Sequence, residues 1–412
     1  MSFRVGLKNN FLFRAVFFIL IIGMNVFVYI YNPLYKLIIV TADLVLLGMC
    51  SVKIKIEQYH LALFFFIVWC GLSLLWNNYD VDIKVFPTFI YCLATTVIVH
   101  QFLNRESRFV VMMKSVIVSA YLLGIAMIMH FGLMTMLTSR VNNEVVNTNR
   151  AGTIFAISLF FCIYLFCREK RKKYLMAGGP LFILVLLSGS KSALVIAASS
   201  IFILVVLKEG IKSRRFYKNV MIGVILIVVG LLLIIKIPYF YNVIGARFIE
   251  FVETMIGKRQ VLVGEHSIYM RLTLLKFGLQ GILHSPIWGY GLDSFRYMPG
   301  NPWPNRYSHM NYIELGFNLG IIGLILYYWP FFTFIRYYKK TKANLNKVDS
   351  AFLIGFIVYY ALYGLMGVFL NELFEWIVME MMCSFVLMKY RKSKSSFSMA
   401  CQTMQDGRCT EN

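Results

Sequence analysis

The sequence predicts an all-α protein that crosses a membrane many times and carries one large outer loop. The chain of 412 residues is 59% hydrophobic and only 15% charged, and its mean hydropathy is +0.70. Apolar runs recur from residue 11 to residue 388, each near the ~20 residues that a helix needs to cross a bilayer. A transmembrane β-barrel would instead show short segments of alternating polarity.

Twelve spans are predicted from these runs. They cover residues 11–31, 34–50, 59–76, 83–103, 109–132, 150–167, 174–188, 191–207, 217–237, 309–337, 350–370 and 372–389. With the spans alternating in direction, every cluster of Lys and Arg falls on one side, which the positive-inside rule assigns to the cytoplasm. Both termini are then predicted to be cytoplasmic, and the first apolar run is interpreted as a retained span, not a cleaved signal.

The net charge of +22 does not indicate nucleic-acid binding. The basic residues cluster in short loops, such as 168–173 and 389–394, where anionic lipid is the expected counter-charge. No basic and aromatic motif typical of nucleic-acid recognition is present. The eight Cys include no C-x-x-C pair, so we expect neither a disulfide framework nor a zinc site.

The predicted organisation has four parts. Residues 1–237 hold the first nine spans, 238–308 form the large periplasmic loop, 309–390 hold spans ten to twelve, and 391–412 form a cytoplasmic tail expected to be disordered. A loop of about seventy residues is too long for a passive connector. Within it, residues 267–283 have helical periodicity and are expected to lie along the membrane surface. A Gly- and Pro-rich segment follows, which favours a folded loop.

The segment YSHMNYIELGFNLGIIG, residues 307–323, places polar groups in an apolar helix. Asn311, Glu314 and Asn318 are spaced by three and four residues, so they share one helix face. Lipid cannot satisfy such groups, so they must face the bundle interior or a wet cavity. Two interpretations remain open: interhelical hydrogen bonds that hold the bundle together, or the wall of a site.

Candidate site residues gather on the outer side of the predicted bundle. Lys191 begins a span, Arg271 lies in the outer loop, and His309 begins span ten. Asn149 and Arg150 open span six on the same side. Cations at this depth suit the diphosphate of a lipid carrier. A neutral imidazole beside them can take a proton from an attacking hydroxyl.

Each of these residues also has a purely structural interpretation. Lys191 can extend its ammonium group to the membrane interface, Arg271 can anchor a surface helix, and His309 can cap the helix that it begins. A different class of protein, a transporter or flippase for lipid-linked glycans, would place charged or broken helices near mid-membrane. The polar groups of this chain crowd the outer side, which favours an enzyme.

Several stretches resemble the superfamily of O-antigen ligases and polymerases, which are bacterial integral-membrane glycosyltransferases. SGSKSALV resembles the family's Ser-Arg motif at the start of a span. YMRLTLLKFGLQGILHSPIWGYGLDSF resembles its Arg-bearing helix followed by a G-x-G turn, and SHMNYIELGFNLGIIGLILYY resembles its His-x-Asn helix start. NTNRAGTIFAIS is similar to a further family segment. The resemblance covers residues from about 145 to about 335 and extends to the twelve-span plan.

The resemblance implies a GT-C-like helical bundle that works at the outer face of the bacterial inner (cytoplasmic) membrane. Family members transfer a glycan from an undecaprenyl-diphosphate donor to an acceptor hydroxyl, without a metal or other cofactor. We expect a polymerase of O-antigen or capsular repeat units, with a ligase to lipid A-core as the alternative. The expected partners are the lipid-linked oligosaccharide, the bilayer, a chain-length regulator and a flippase, and no nucleic acid.

The resemblance also implies roles for individual residues. His309 matches the residue that activates the acceptor, and Arg271 matches a diphosphate-binding Arg. Lys191 stands where the family usually has Arg, and it keeps the charge but loses the bidentate fork of a guanidinium. The residues expected to support the site are Asn311, Glu314, Asn149 and Arg150.

Overall fold

The computed structural model describes residues 10–27, 34–49, 54–79, 85–138, 147–210, 212–236 and 267–408. Over these ranges the chain forms helices joined by turns, and it forms no strand. The helices are α1 (Asn10–Ile22), α2 (Leu34–Met49), α3 (Gln58–Leu72), α4 (Val85–Phe102), α5 (Glu106–Phe131), α6 (Leu133–Thr138), α7 (Thr148–Glu169), α8 (Lys172–Leu187), α9 (Lys191–Leu207), α10 (Arg214–Lys236), α11 (Ser267–His284), α12 (Ser294–Tyr297), α13 (Asn311–Thr341), α14 (Lys347–Met366) and α15 (Leu373–Arg408).

Among the described helices, several are long and apolar enough to cross a membrane. They span Gln58–Leu75, Val85–Phe102, Glu106–Phe131, Thr148–Glu169, Asn311–Asn344 and Lys347–Met366. Shorter apolar helices cover Arg14–Val26, Leu37–Met49 and Lys191–Leu207. The predicted class, an all-α protein that crosses the membrane several times, is therefore confirmed. The number of twelve spans stays a prediction.

α7 lies in the interior of the bundle. Most of its residues are buried, and it packs against α5, α8, α9 and α14. A helix that is apolar on all sides is stable only when other helices surround it. Its first turn is fixed by Asn147, whose side chain accepts hydrogen bonds from the backbone N–H groups of Asn149 and Arg150. This cap satisfies donors that a helix start leaves unpaired.

Ion pairs join the helices at the basic end of the bundle, which the sequence assigns to the cytoplasm. Nζ of Lys389 lies 2.7 Å from Oε1 of Glu106 and 2.9 Å from Oδ2 of Asp349. Arg168 also pairs with Glu106, and the hydroxyl of Tyr164 donates to Asp349 at 2.7 Å. These contacts connect α5, α7, α14 and α15, so the helices are fixed to one another at this end.

α13 is broken near its start. Gly320 has φ 64° and ψ −167°, which divides the helix into a first arm, residues 311–319, and a second arm, residues 321–341. Nδ2 of Asn311 donates to the hydroxyl of Tyr328 at 2.8 Å, although a straight helix would separate these residues by about 25 Å. The two arms therefore fold against each other as a helical hairpin with Gly320 at its apex.

The helical hairpin corrects the prediction of one continuous span over residues 309–337. The second arm alone continues toward Lys339 and Lys340 at the basic end. The first arm runs outward from His309 to the apex, so His309 lies about two helical turns below the outermost point of α13. The predicted start of span ten is wrong because the helix turns back on itself at Gly320.

The G-x-G turn of the outer loop fills the break in α13. The backbone N–H of Tyr290 donates to the carbonyl of Phe317 at 3.0 Å, and that of Gly291 donates to the carbonyl of Asn318 at 2.8 Å. In a continuous helix these carbonyls would bind N–H groups four residues further on. The turn thus replaces the hydrogen bonds that the break removes, as buried backbone groups require.

The outer loop and α13 approach each other closely at the apex because residue 320 is a glycine. A Cβ on Gly320 would lie 2.1 Å from the carbonyl oxygen of Ile287, and the positive φ also favours a residue without Cβ. Nε1 of Trp69, near the outer end of α3, donates to the carbonyl of Leu319 at 3.0 Å. The apex therefore lies at the outer end of the bundle and is fixed to α3.

A separate small hydrophobic core lies outside the main one. Its buried members are Leu274, Phe295, Ile313 and Phe317. They come from α11, α12 and the first arm, and we call residues 267–319 the outer cap. The predicted helix over residues 267–283 is confirmed as α11, whereas residues 238–266 of the predicted loop lie outside the described part of the chain.

The chain beyond residue 391 differs from the disordered tail that we expected. α15 continues to Arg408, although this segment is polar. It contains no Pro, and its Gly is near the end, at Gly407, so nothing in the sequence breaks the helix earlier. Residues 409–412 lie outside the described residues.

Candidate active site

His309 sits on a backbone conformation that its neighbours hold in place. Its φ is 61°, a left-handed value that is uncommon for a residue other than glycine. The preceding backbone N–H, that of Ser308, donates to Oε2 of the buried Glu314 at 2.7 Å. The following hydrogen bond joins the N–H of Asn311 to the carbonyl of Gly367 at 3.0 Å. Strain of this kind clusters at functional sites, where the surroundings must impose it.

The imidazole of His309 has one ring nitrogen that makes no hydrogen bond within the described part of the protein. Nε2 is buried and has no hydrogen-bond partner among the described residues. The ring packs on that of Tyr307, with 4.3 Å between centroids. Burial, with the positive charges of Arg271 and Arg306, lowers the pKa of His309 to about 4. The group is therefore neutral at neutral pH, and a neutral imidazole can accept a proton.

Arg271 lies beside His309. It projects from α11, which approaches the first arm closely because Gly278 and Gly281 face Ile313 and Phe317. Nε of Arg271 is buried without a hydrogen-bond partner among the described residues. Desolvation by burial lowers the pKa of Arg271, but a guanidinium stays charged in proteins. A half-buried cation whose Nε is buried without a partner indicates a site for an anion.

Two further arginines of the outer cap surround Tyr307. The guanidinium carbon of Arg296 lies 5.8 Å from the centre of the Tyr307 ring, and its Nε lies 3.0 Å from Oδ1 of Asp293. Arg306 directly precedes Tyr307 and is exposed. The sequence analysis did not single out Arg296, Arg306 or Tyr307. The signal was present in the segment NRYSH, which places an Arg and a Tyr immediately before the candidate His.

Lys191 and Arg150 belong to a second group at the outer end. Lys191 is the first residue of α9, and the residues around it pack against the start of α7. A Cβ on Gly152 would lie 2.7 Å from Oγ of Ser188 and 2.9 Å from Cβ of Ser190. Arg150 pairs with Glu372 at the turn before α15. The charge of Arg150 is thus directed at a carboxylate of the protein, which weakens its expected role as an anion ligand.

Tyr363 lies between the two groups. It is buried near the outer end of α14, just before the turn whose Glu372 pairs with Arg150. The outer turn beside it is bound to the helical hairpin, because the N–H of Phe369 donates to Oδ1 of Asn311 at 3.0 Å. The group around His309 and the group around Lys191 therefore share one end of the bundle and a common wall.

The polar face of the first arm holds the outer cap together. Oδ1 of Asn318 accepts hydrogen bonds from Oγ of Ser294 at 3.1 Å and from the N–H of Phe295 at 2.9 Å. Nδ2 of Asn318 donates to Oε1 of Glu314 at 3.2 Å. Asn311 and Glu314 position the segment that carries His309 through hydrogen bonds to Tyr328, Phe369 and Ser308. These contacts are the ones expected if the polar face holds the bundle together.

We expect the variant Asn318→Ala to destabilise the protein by about 1–3 kcal/mol, because Ser294 and Phe295 lose a buried acceptor. The thermal midpoint of the purified protein measures this effect. The variant Ser294→Ala removes one of the two donors and leaves the acceptor paired with Phe295, so it should cost less. Equal midpoints for Asn318→Ala and the unmodified protein would show that water satisfies these groups.

Residues 179–328 match the model of the family described as O-Antigen ligase. The matched segment runs from α8 to the second arm of α13, so it contains Lys191, Arg271 and His309 and leaves out Asn149 and Arg150. A comparison with curated proteins gives no match.

Proposed function

We propose that the chain is a repeat-unit polymerase of the superfamily of O-antigen ligases and polymerases, and the match of residues 179–328 to the O-antigen ligase family supports this proposal. Members of this family are membrane enzymes of the glycosyltransferase type that act on lipid-linked glycans. The proposed reaction joins oligosaccharides carried on undecaprenyl diphosphate at the outer face of the bacterial inner membrane. The observation that carries this proposal is the unused Nε2 of the neutral His309 beside the unused guanidinium donor of Arg271.

The proposed mechanism uses these two groups in a direct displacement. Arg271 binds the diphosphate of the donor, with Lys191 as a second cation. A hydroxyl of the acceptor sugar donates its hydrogen bond to Nε2 of His309. The hydroxyl oxygen attacks the anomeric carbon, His309 takes the proton, and the bond to the diphosphate oxygen breaks with its electron pair on undecaprenyl diphosphate. The configuration at the anomeric carbon inverts, and the cations stabilise the charge of the leaving group.

The low pKa of His309 fits the second half of this cycle. An imidazolium whose pKa is about 4 gives up its proton readily at neutral pH, so the base is restored for the next transfer. The proton passes to water or to the departing diphosphate. A histidine with an ordinary pKa near 6.5 would be partly protonated at the start of the reaction.

A ligase is the alternative proposal, with lipid A-core as the acceptor. The same base and the same cations serve both reactions, because only the acceptor differs. We favour the polymerase because the sequence contains no feature that indicates recognition of lipid A-core. A flippase would use a broken helix near the centre of the membrane, whereas the break at Gly320 lies at the outer end of α3.

The experiment that tests this proposal compares surface polysaccharide and lipid-linked intermediates from a deletion strain. Core capped with a single repeat unit, without a ladder, supports the polymerase. Bare core with long polymer retained on undecaprenyl diphosphate supports the ligase. An unchanged pattern of surface polysaccharide rejects both. Complementation with the unmodified gene must restore the ladder before variants are compared.

The cation sites give a separate prediction for purified protein in proteoliposomes. We expect Arg271→Ala to lower the rate of glycan transfer at least about tenfold, because a buried charge-assisted contact to the diphosphate is lost. Lys191→Ala should also lower the rate, and Lys191→Arg should keep it, since Arg preserves the charge. The control is Lys276→Ala, which removes an exposed cation from the same helix as Arg271. Equal loss in the control would indicate a general electrostatic effect.

A further inference from the structure

A second cluster of titratable side chains lies at the basic end of the bundle, apart from the proposed active site. His60 of α3, His100 of α4 and Glu380 of α15 are all buried, and their side-chain nitrogen and oxygen atoms lie within 4.8 Å of one another. Nε2 of His60 lies 2.9 Å from Oε2 of Glu380, and Nδ1 of His100 lies 2.7 Å from Oε1 of Glu380. Two histidines and a glutamate at such spacing can hold a metal ion or a proton.

The hydrogen bonds of His60 decide against a metal ion. Its Nδ1 accepts the backbone N–H of Glu57 at 3.1 Å, so Nδ1 carries no proton. The proton of the neutral imidazole must then be on Nε2, where it is donated to Glu380. A His that binds a metal through Nε2 normally carries a proton on Nδ1 and donates it, and the N–H of Glu57 occupies that position.

His100 lies between two carboxylates. Its Nδ1 faces Glu380, and its Nε2 lies 3.4 Å from Oε1 of Glu57. Glu57 is the residue before α3, and its hydrogen bond to His100, together with Arg391, lowers its pKa to about 2. Glu57 is thus an anion at physiological pH. A neutral imidazole has one ring nitrogen without a hydrogen, and that lone pair would face a carboxylate, so the geometry favours the doubly protonated form of His100.

With His100 doubly protonated, the charges of the cluster sum to zero. Glu57 and Glu380 contribute two negative charges, while Arg391, which pairs with Glu57, and protonated His100 contribute two positive charges. Loss of the proton from His100 leaves one unbalanced negative charge in a buried site, which is costly. The hydroxyls of Tyr59 and Ser384 complete the surroundings by donating hydrogen bonds to Oε1 of Glu380, and they add no charge.

We propose that Glu57, His100 and Glu380 form a proton-binding site that joins α3, α4 and α15 at the basic end of the bundle. With the proton bound, His100 bridges the carboxylates of the two other helices. Without the proton, His100 can donate only one hydrogen bond and therefore cannot bridge both carboxylates. The two carboxylates then repel each other. The same helices reach the outer end, where Trp69 of α3 binds Leu319 and the turn before α15 binds Asn311. The proton therefore stabilises the helices on which the helical hairpin rests.

The thermal midpoint of the full-length protein in lipid nanodiscs tests this site without any glycan substrate. We expect the midpoint to fall by at least about 3 °C between about pH 6 and about pH 9, because the unfolded chain gives up this proton near the ordinary histidine pKa of about 6.5 while the folded protein holds it. The sign follows from the bridge: a group held in its protonated form adds stability at low pH, and this stability disappears as the pH rises through its titration. His100→Gln should lower the midpoint at pH 6 and remove most of the fall.

Two further variants keep the test decisive if His100→Gln does not fold. Glu57 is partly exposed, and Glu57→Gln removes one of the two charges facing His100, so the fall should move to lower pH. His130→Gln changes an exposed histidine at the far end of α5 and should keep the unmodified pH dependence. An unaltered fall in both His100→Gln and Glu57→Gln would reject the proposal. A rise in the midpoint with zinc sulfate, reversed by EDTA, would reject it in favour of a metal site.

Discussion

Replacing His309 with alanine is expected to lower the rate of glycan transfer by about 10²–10⁴-fold, the usual contribution of a positioned general base. The reason is that Nε2 of His309 is a buried ring nitrogen at the candidate site and makes no hydrogen bond to any described residue. The measurement is transfer from a lipid-linked donor by purified protein in proteoliposomes. The thermal midpoint, measured in parallel, separates loss of the base from loss of the fold.

The control for this variant is His284→Ala. His284 lies at the end of α11 in the same outer cap, is exposed, and has its Nδ1 2.7 Å from the carbonyl oxygen of Gln280. Transfer by this control should match that of the unmodified protein. If His309→Ala retained full transfer with an unchanged midpoint, the proposed base would be wrong, although the family and the reaction could still hold with another acceptor of the proton.

The pH dependence of transfer gives the same hypothesis a second measurement. Because the pKa of His309 is about 4, the base of the free enzyme should stay neutral as the pH falls from about 7 to about 5.5, and kcat/KM for transfer, which reports the free enzyme, should change little. A base with the ordinary histidine pKa of about 6.5 would lose most of its activity over this interval. A steep loss centred near pH 6.5 would therefore contradict the buried environment described for His309.

Replacing Gly320 with alanine is expected to abolish transfer and to reduce the amount of folded protein. The backbone strain alone costs about 1–3 kcal/mol at a left-handed position. The added Cβ would also lie 2.1 Å from the carbonyl oxygen of Ile287, so the G-x-G turn must leave the break. The unpaired carbonyls of Phe317 and Asn318 would then be exposed to an apolar environment, at a further cost.

The matched control is Gly179→Ala in α8, where a new Cβ meets no atom within 4 Å. This substitution removes a glycine from a helix, so a neutral or slightly stabilising effect is expected. Expression level, thermal midpoint and transfer should be compared for both variants. A fully folded and active Gly320→Ala variant would show that the two arms of α13 can form a continuous helix without loss of function.

The class of fold was predictable because lipid imposes a simple rule on sequence. Helices must satisfy their own backbone hydrogen bonds in a bilayer, so long apolar runs such as that of α7 indicate spans directly. The basic loops predict the direction of the spans by the same kind of argument, and this direction stays a prediction. The break in α13 was less predictable, because Gly316, Gly320 and Gly323 have the spacing of glycines that allow close packing of two helices. Which of them breaks the helix depends on the turn that inserts there.

The candidate site shows the same division between local and distant information. His309 and Arg271 were identified as a pair, and they lie together because α11 packs on the first arm. Arg150 was expected to support the site, but its partner Glu372 comes from a turn more than two hundred residues away. Spacing along a helix indicates which residues share a face, whereas a contact between distant helices depends on packing that a single sequence does not specify.

The two cores have a consequence for how the outer cap can change. Its small core is separate from the main core, but Leu292, Leu315 and Leu319 of the same segment pack in the main core, and Trp69 donates to the carbonyl of Leu319. Residues of the small core can therefore change together, whereas the first arm must fit both cores at once. Exchange of residues 267–319 between relatives is expected to give folded protein only when the contacting residues of α3 and α14 are exchanged with them.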